Sequence, residues 1–130
     1  MANEKKDILL VDDDADFVKA VGIILGAKGY SVRTASNVTE CYRRIKEKKP
    51  NLILLDVMME HMDDGFRACH NLKIDPATKD IPIIVVTAVS EKTGLQFSLE
   101  KHKEYMPADG YLEKPVMPEK LLESVKNAIK

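Results

Sequence analysis

Three acidic residues that could carry chemistry lie directly after short apolar runs. Asp12 and Asp13 follow residues 8–11, and Asp56 follows residues 52–55, two runs made only of Ile, Leu and Val. A short, uninterrupted apolar run is typical of a strand that is buried on both faces of a parallel sheet. Open α/β sheets bind their ligands at the carboxyl ends of such strands. If the two strands are neighbours, the three carboxylates converge at one edge of the sheet.

Two further polar residues occupy equivalent places later in the chain. Thr87 follows the apolar residues 81–86, and Lys114 follows the short run 111–113. In a parallel sheet, the carboxyl ends of all strands meet at the same edge. The sequence therefore predicts that a hydroxyl and an ammonium group join the three acids.

The composition is typical of a single soluble globular domain spanning residues 1–130, with 45% apolar and 32% charged residues. The net charge of −1 gives no support to a broad nucleic-acid or membrane-binding surface. Neither a membrane-spanning run nor a signal-peptide pattern is present, so we expect a cytoplasmic protein. Cys41 and Cys69 are too few for a disulfide framework or a zinc site, and we expect reduced thiols on apolar helix faces.

Apolar periodicity predicts five strands that alternate with five helices. This alternation implies a parallel sheet with right-handed crossovers. The helices are expected to start at Asp12 or Asp14, at Ser36 or Asn37, after a polar loop at residues 60–65, at Ser90 or Thr93, and after Pro118. The predicted strands are residues 7–11, 31–34, 52–55, 81–86 and 111–113.

These motifs together resemble the receiver domain of response regulators, the phospho-acceptor module of two-component signalling. The resemblance covers residues 6–130 and rests on four motifs. They are the acidic pair Asp12-Asp13, Asp56 after the third strand, Thr87-Ala88 after the fourth, and Lys114-Pro115 after the aromatic Tyr111. The resemblance implies a flavodoxin-like, doubly wound sheet of five parallel strands in the order 2-1-3-4-5, with five helices.

The resemblance also implies a role for each acid. Asp56 is the expected phospho-acceptor, because a carboxylate can attack a phosphoryl group to form an aspartyl phosphate. Clustered carboxylates repel one another, and a bound Mg²⁺ relieves that repulsion. Asp13 and Asp56 are expected to ligate the ion directly, Asp12 largely through water, and Met58 through its backbone carbonyl. Asp14 is expected to cap a helix and not to bind the metal.

Lys114 and Thr87 are expected to contact the phosphoryl oxygens, and the small Ala88 to leave the group accessible. By resemblance, Thr87 and Tyr111 form the switch that responds to phosphorylation. The reaction is phosphoryl transfer, in which positioning and charge neutralisation provide most of the catalysis. A protein of this kind catalyses its own phosphorylation and slow dephosphorylation and is not a conventional turnover enzyme.

The implied partners are proteins. The phosphoryl donor is expected to be a sensor histidine kinase or a histidine phosphotransfer protein, which by analogy docks on the first helix, residues 15–28. A downstream protein target or a fused output domain is expected to receive the signal. Direct nucleic-acid binding and membrane insertion are not expected.

The chain departs from the family pattern in two places. Glu60 stands where the family usually has a proline, and Asp64 before Gly65 falls one position late. Glu60 could influence the hydrolytic water, although a solvated loop position is the simpler interpretation. Residues 91–107 are longer than the family pattern.

Two alternative functions fit parts of the pattern. The first is a receiver-like interaction module that is not phosphorylated, although such modules lack one or more of the acidic or lysine residues. The second is a phosphatase of the haloacid-dehalogenase type. That class requires a second Asp two residues after the nucleophile, where this chain has Met58.

Overall fold

The fold was obtained as a computed structural model, which describes residues 6–56, 62–88, 108–114 and 116–129. For residues 62–66, 87, 88 and 114 only the backbone is described. The elements in chain order are β1 Asp7–Val11, α1 Ala15–Ala27, β2 Ser31–Ala35, α2 Val38–Glu47, β3 Leu52–Asp56, α3 Met62–Ile74, β4 Ile83–Ala88, β5 Gly110–Lys114 and α4 Pro118–Ala128.

The strands form one parallel sheet in the order β2-β1-β3-β4-β5. This confirms the predicted flavodoxin-like topology. The described ranges contain four helices, and the helix predicted to start at Ser90 or Thr93 lies outside them. No helix in these ranges is both long and apolar enough to cross a membrane.

Apolar layers cover both faces of the sheet. Alternate residues of a strand point to opposite faces, so Ile8 and Leu10 pack with α1 and α4, whereas Leu9 and Val11 pack with α2 and α3. The same alternation holds along β3 and β4. Burial on both faces explains why these strands are continuous apolar runs.

Local capping groups fix the ends of the first two helices. Asp14 caps α1 through hydrogen bonds that its carboxylate accepts from the backbone amides of Asp16 and Phe17, at 3.1 and 3.2 Å. Asn37 caps α2, its side chain accepting from the Glu40 amide at 2.8 Å. Gly29 has a positive φ of 89°, which favours glycine, and it follows the end of α1 as predicted.

The predicted boundaries were wrong at both ends of β4 and at the start of α3, and by one residue at the ends of β2, β3 and β5. Strand β4 continues through Thr87 to Ala88 instead of ending at residue 86. Strand β4 begins at Ile83 instead of residue 81, because Pro82 has no amide hydrogen and the Ile81 amide donates to the Thr78 carbonyl in a turn. Helix α3 begins at Met62, inside the stretch predicted as a polar loop at residues 60–65. Acidic residue types are common in a first helical turn, so the polar composition of that stretch did not exclude a helix.

The two cysteines behave as predicted. Cys41 and Cys69 are free and buried in the apolar layer beneath α2 and α3. Burial raises the pKa of each thiol to about 12, since the thiolate would lose its hydration.

A buried ion pair joins β1, β2 and α2 at the amino edge of the sheet. The Arg33 guanidinium donates to the Asp7 carboxylate at 2.6 Å and to the backbone carbonyls of Arg44 and Lys48 at 2.9 and 2.6 Å. Asp7 is 2% exposed and Arg33 20% exposed. Arg33 therefore neutralises a buried charge and also satisfies carbonyl groups at the end of α2.

We expect Arg33→Met to lower the free energy of unfolding by about 2–4 kcal/mol, because the Asp7 carboxylate stays buried without its partner. The double variant Asp7→Asn/Arg33→Met should be more stable than Arg33→Met alone, since no uncompensated charge remains. Urea denaturation followed by circular dichroism measures both values.

Arg43→Met is the matched control. Arg43 is 63% exposed and pairs with Glu40 at 3.6 Å, so its removal should cost less than about 0.5 kcal/mol. Equal losses of unfolding free energy for Arg33→Met and Arg43→Met would show that the buried pair contributes no more to stability than the exposed pair.

Candidate functional site

Three carboxylates meet at the carboxyl edge of the sheet. One carboxylate oxygen from each of Asp12, Asp13 and Asp56 lies within 4.8 Å of the other two. Asp12 and Asp56 are 2% and 3% exposed, whereas Asp13 faces solvent. The site therefore combines two buried acids with one that is open to an incoming ion or ligand.

Strand pairing positions the two buried acids. Val11 pairs with Leu55 in the β1–β3 ladder, so Asp12 and Asp56 each follow a paired residue at the same level of adjacent strands. On the other side of β1, the Asp12 amide donates to the carbonyl of Ala35, the last residue of β2, at 3.0 Å. The buried sheet thus fixes where the acids meet.

The turn after β1 is also held by the acids themselves. The Asp12 carboxylate accepts a hydrogen bond from the Asp14 amide at 2.9 Å, and Asp14 in turn caps α1. This chain of bonds directs the backbone away from the sheet immediately after Asp13. Asp14 has the capping role that the sequence predicted.

The other predicted site residues are described only in part. In the β4–β5 ladder Thr87 pairs with Glu113, and Ala88 pairs with Lys114. The backbones of Thr87 and Lys114 therefore lie at the same edge as the acids. Their side chains, together with all of Met58 and Glu60, lie outside the described residues, so their roles remain predictions.

Tyr111 is a half-buried residue on the α3 side of β5. It packs against the apolar cluster that includes Cys69 and Leu72. Burial raises the pKa of the Tyr111 hydroxyl, and a backbone hydrogen bond from Ala108 partly opposes that rise.

A cavity of about 340 Å³ adjoins Asp12 and Asp13. It lies between the first turns of α1 and α2, at the end of β2. Small and apolar groups line one side, and Lys19 and Glu40 provide charges. The full lining consists of Asp12, Asp13, Ala15, Val18, Lys19, Thr34, Ala35, Ser36 and Glu40.

The polar pair Ser36 and Glu40 was not among the predicted site residues. The Ser36 hydroxyl donates to the Glu40 carboxylate at 2.5 Å, and the Ser36 amide approaches the same oxygen at 3.4 Å. Hydrogen bonding from Ser36 lowers the pKa of Glu40, so this carboxylate stays charged beside the acidic site. The pattern Asn37-x-x-Glu40, a helix cap followed by an acid three residues later, was the available signal.

The donor set fits a hard divalent cation. Three carboxylates within 4.8 Å offer charged oxygen ligands, which Mg²⁺ prefers, and the exposed Asp13 leaves access for its waters. Cysteine and histidine ligands are absent from this group, so its chemistry does not favour zinc.

Comparison with known proteins decides the family. A family model described as the response regulator receiver domain matches residues 8–126. The chain belongs to this receiver domain family. The receiver domain is 35% identical over 125 residues to the phosphate regulon transcriptional regulatory protein PhoB of Pseudomonas aeruginosa, covering 96% of this chain and 52% of that protein.

Two further relatives agree. The receiver domain is 30% identical over 126 residues to the DNA-binding response regulator MtrA of Mycobacterium tuberculosis, covering 97% of this chain and 51% of that protein. A crystal structure of a putative response regulator from Chloroflexus aurantiacus superposes with a TM-score of 0.83 at 29% identity, covering 97% of this chain and 98% of that chain. The chain spans about half the length of the curated relatives it matches.

We expect Ser36→Ala to raise the pKa of Glu40 towards its ordinary value of 4.5. The folded-state pKa of Glu40 lies below that value, so its contribution to stability is present above pH 4.5 and is lost as the pH falls through the folded-state pKa. Ser36→Ala should therefore reduce stability above that window more than below it. NMR titration of the Glu40 carboxyl, with Thr39→Ala as control, measures the shift; an unchanged Glu40 pKa in Ser36→Ala would contradict it.

Proposed function

We propose that Asp56 of this receiver domain accepts a phosphoryl group from a phosphohistidine of a sensor histidine kinase or a histidine phosphotransfer protein. The observation that supports this most strongly is the approach of the Asp12, Asp13 and Asp56 carboxylates to within 4.8 Å at the carboxyl edge of the sheet. Membership of the receiver family supports the same assignment.

The transfer exchanges one bond to phosphorus for another. An Asp56 carboxylate oxygen attacks the phosphorus, and the bond between phosphorus and the donor imidazole nitrogen breaks. The electron pair of that bond returns to the imidazole, which then takes up a proton. Hydrolysis resets the domain when a water oxygen attacks the same phosphorus and the bond between phosphorus and the Asp56 oxygen breaks. The water loses a proton, inorganic phosphate leaves, and the Asp56 carboxylate is restored.

Asp12, Asp13 and Asp56 are the proposed ligands of Mg²⁺, with the Met58 backbone carbonyl as a further donor. When bound, the ion would neutralise negative charge on the phosphoryl oxygens. Asp12 has a second task in the protein itself, because its carboxylate orders the turn that leads into α1. Asp13, being exposed, is the acid best placed to exchange water for an ion.

Lys114 and Thr87 are the proposed contacts of the phosphoryl oxygens. An ammonium group at the end of β5 would stabilise the charge of the transferred group, and a hydroxyl at the end of β4 would donate a hydrogen bond. The small Ala88 would leave the group accessible. We propose that Thr87 then moves towards the phosphoryl group and that Tyr111 fills the space that Thr87 vacates, which alters the face of β5.

The donor is proposed to dock beside the acids on α1. The first turn of this helix lines the cavity next to Asp12 and Asp13, and Ile23 on its outer surface is an exposed large apolar residue. Both curated relatives compared above carry names that describe transcriptional or DNA-binding regulators. We propose that any DNA contact made by a longer protein of this kind lies outside residues 1–130, and that the receiver signals to a downstream protein target or a fused output domain.

Phosphorylation by a small phosphodonor tests the assignment directly. Incubation with acetyl phosphate and Mg²⁺ should add the mass of one phosphoryl group to the wild-type protein, because the Asp56 carboxylate attacks the phosphorus of the donor and retains the phosphoryl group. Asp56→Asn should show no such gain. Intact-mass spectrometry measures the product.

Asp80→Asn is the matched control, since Asp80 is an exposed acid outside the site and its removal changes the charge equally. A phosphorylated Asp56→Asn variant would reject Asp56 as the acceptor. A wild-type protein without any mass gain would favour the interaction module that is not phosphorylated.

Asp13→Asn should weaken Mg²⁺ binding by about tenfold or more, because even residues that only support metal ligands change affinity by that factor. Mg²⁺ that binds the folded state raises the unfolding midpoint, so thermal unfolding at several Mg²⁺ concentrations measures the affinity. Asp14→Asn is the control, since it removes the same charge nearby and retains a good helix cap. Equal effects of the two substitutions would exclude Asp13 as a specific ligand.

A further inference from the structure

A second ion pair lies at the amino edge of the sheet, opposite the carboxyl edge at which the three acids meet. The Lys73 ammonium on α3 contacts the Asp109 carboxylate at 2.6 Å. It also donates to the backbone carbonyls of Ile81 and Lys79, at 2.9 and 3.3 Å. Lys73 is only 14% exposed, and these three acceptors match the three hydrogens of its ammonium group.

Asp109 connects this pair to the sheet. Its carboxylate accepts a hydrogen bond from the Ile83 amide at 2.8 Å, and its own amide donates to the Ile83 carbonyl at 2.7 Å. Asp109 therefore binds the first residue of β4 through both side chain and backbone. The next residue, Gly110, begins β5 and allows close approach, because an added Cβ would lie 3.3 Å from the Ile84 side chain.

Tyr111 follows Asp109 by two residues and lies close to the same group of side chains. Ala108 and Tyr111 both pack on the apolar cluster that contains Cys69, and Cys69 precedes Lys73 by one helical turn on α3. Asp109 and Cys69 are near enough to Tyr111 to affect its hydroxyl electrostatically. The ion pair thus fixes both the backbone before Tyr111 and the helix against which its ring packs.

We propose that Lys73 and Asp109 are positioning residues that hold Tyr111 in its half-buried orientation and so set how readily β5 changes on phosphorylation. This inference rests on the proposed function of Asp56, since the change of Tyr111 is useful only if phosphorylation drives it. The pair acts through Tyr111 and does not touch the reacting atoms.

Loss of the Lys73–Asp109 pair would release the groups that it holds in place. Without the Lys73 ammonium, the Ile81 carbonyl loses a charged donor and the Asp109 carboxylate loses its counter-ion, so the backbone of residues 108–110 gains freedom. Tyr111 then leaves its packed orientation at a smaller free-energy cost. A state in which Tyr111 fills the space vacated by Thr87 requires a packed ring, so this state becomes harder to reach.

The first experiment measures the orientation of Tyr111 in the unphosphorylated protein. Tyrosines are replaced by 3-fluorotyrosine, and the ¹⁹F NMR signal of Tyr111 is assigned from its loss in Tyr111→Phe. In Lys73→Met this signal should move towards that of a solvent-exposed ring. Lys73→Arg should restore much of the wild-type position, since it keeps the positive charge.

Lys79→Met is the matched control, because Lys79 lies in the same turn and its ammonium makes no ion pair among the described residues. Asp109→Asn provides a second route if Lys73→Met fails to fold, since it removes the charge and retains the shape and the acceptor for Ile83. An unmoved Tyr111 signal in both Lys73→Met and Asp109→Asn, with folding verified by circular dichroism, would overturn the inference.

The second experiment measures coupling to phosphorylation. Lys73→Met should lower the rate of phosphorylation by acetyl phosphate and Mg²⁺ by about fivefold or more, the lower end of couplings between distant sites. The same substitution in a Tyr111→Ala background should have little effect, because the residue through which the pair acts is gone. An unchanged rate in Lys73→Met, or a rate decrease of equal size in both backgrounds, would overturn the inference.

The two proposals fail in different ways. If wild-type protein gains no phosphoryl group, the proposed function is wrong, whereas the ¹⁹F comparison still reports whether the pair positions Tyr111. If wild-type protein is phosphorylated but Tyr111 and the rate are the same in Lys73→Met, only the positioning role is wrong.

Discussion

Three carboxylates are held close together at the ends of two adjacent strands, and the rest of the fold must keep these like-charged groups in place. One carboxylate oxygen from each acid lies within 4.8 Å of the other two, and like charges at such distances repel. Asp12 and Asp56 cannot separate, because each is attached to a strand whose apolar residues are buried on both faces. The apolar layers therefore keep the three acids together at one edge of the sheet, and a cluster of carboxylate oxygens is a donor set that suits a hard cation.

The two edges of the sheet differ in the arrangement of their charged residues. At the amino edge, Asp7 pairs with Arg33 and Lys73 pairs with Asp109, and each pair also binds backbone groups of neighbouring elements. Charge there is neutralised locally and stabilises the fold. At the carboxyl edge, three acids come together in a group that could hold a cation. A parallel sheet permits this division, because all of its strands begin at one edge and end at the other.

The features that the sequence predicted well are those encoded over short distances. The apolar runs, the Asp14 cap and Gly29 each depend on a few neighbouring residues, and the strand ends gave the position of the acids. The Arg33–Asp7 pair spans 26 residues, and the partners of Lys73 include a residue 36 positions away. Local sequence patterns do not predict ion pairs over such distances. The start of α3 was missed for a different reason, since acidic residues serve equally well in a loop and in a first helical turn.

Strand β5 connects the two edges. It begins one residue after Asp109 at the amino edge, carries Tyr111, and ends at Lys114 beside the carboxyl edge. Within the described ranges β5 pairs only with β4, so a shift of this strand breaks one ladder, whereas a shift of β1, β3 or β4 breaks two. A strand at the side of the sheet can therefore move at the smallest cost in hydrogen bonds. The Lys73–Asp109 ion pair fixes the start of β5, the end of the strand that lies farthest from the phosphorylation chemistry proposed at Asp56. It can therefore affect how far the strand moves without contacting the reacting atoms.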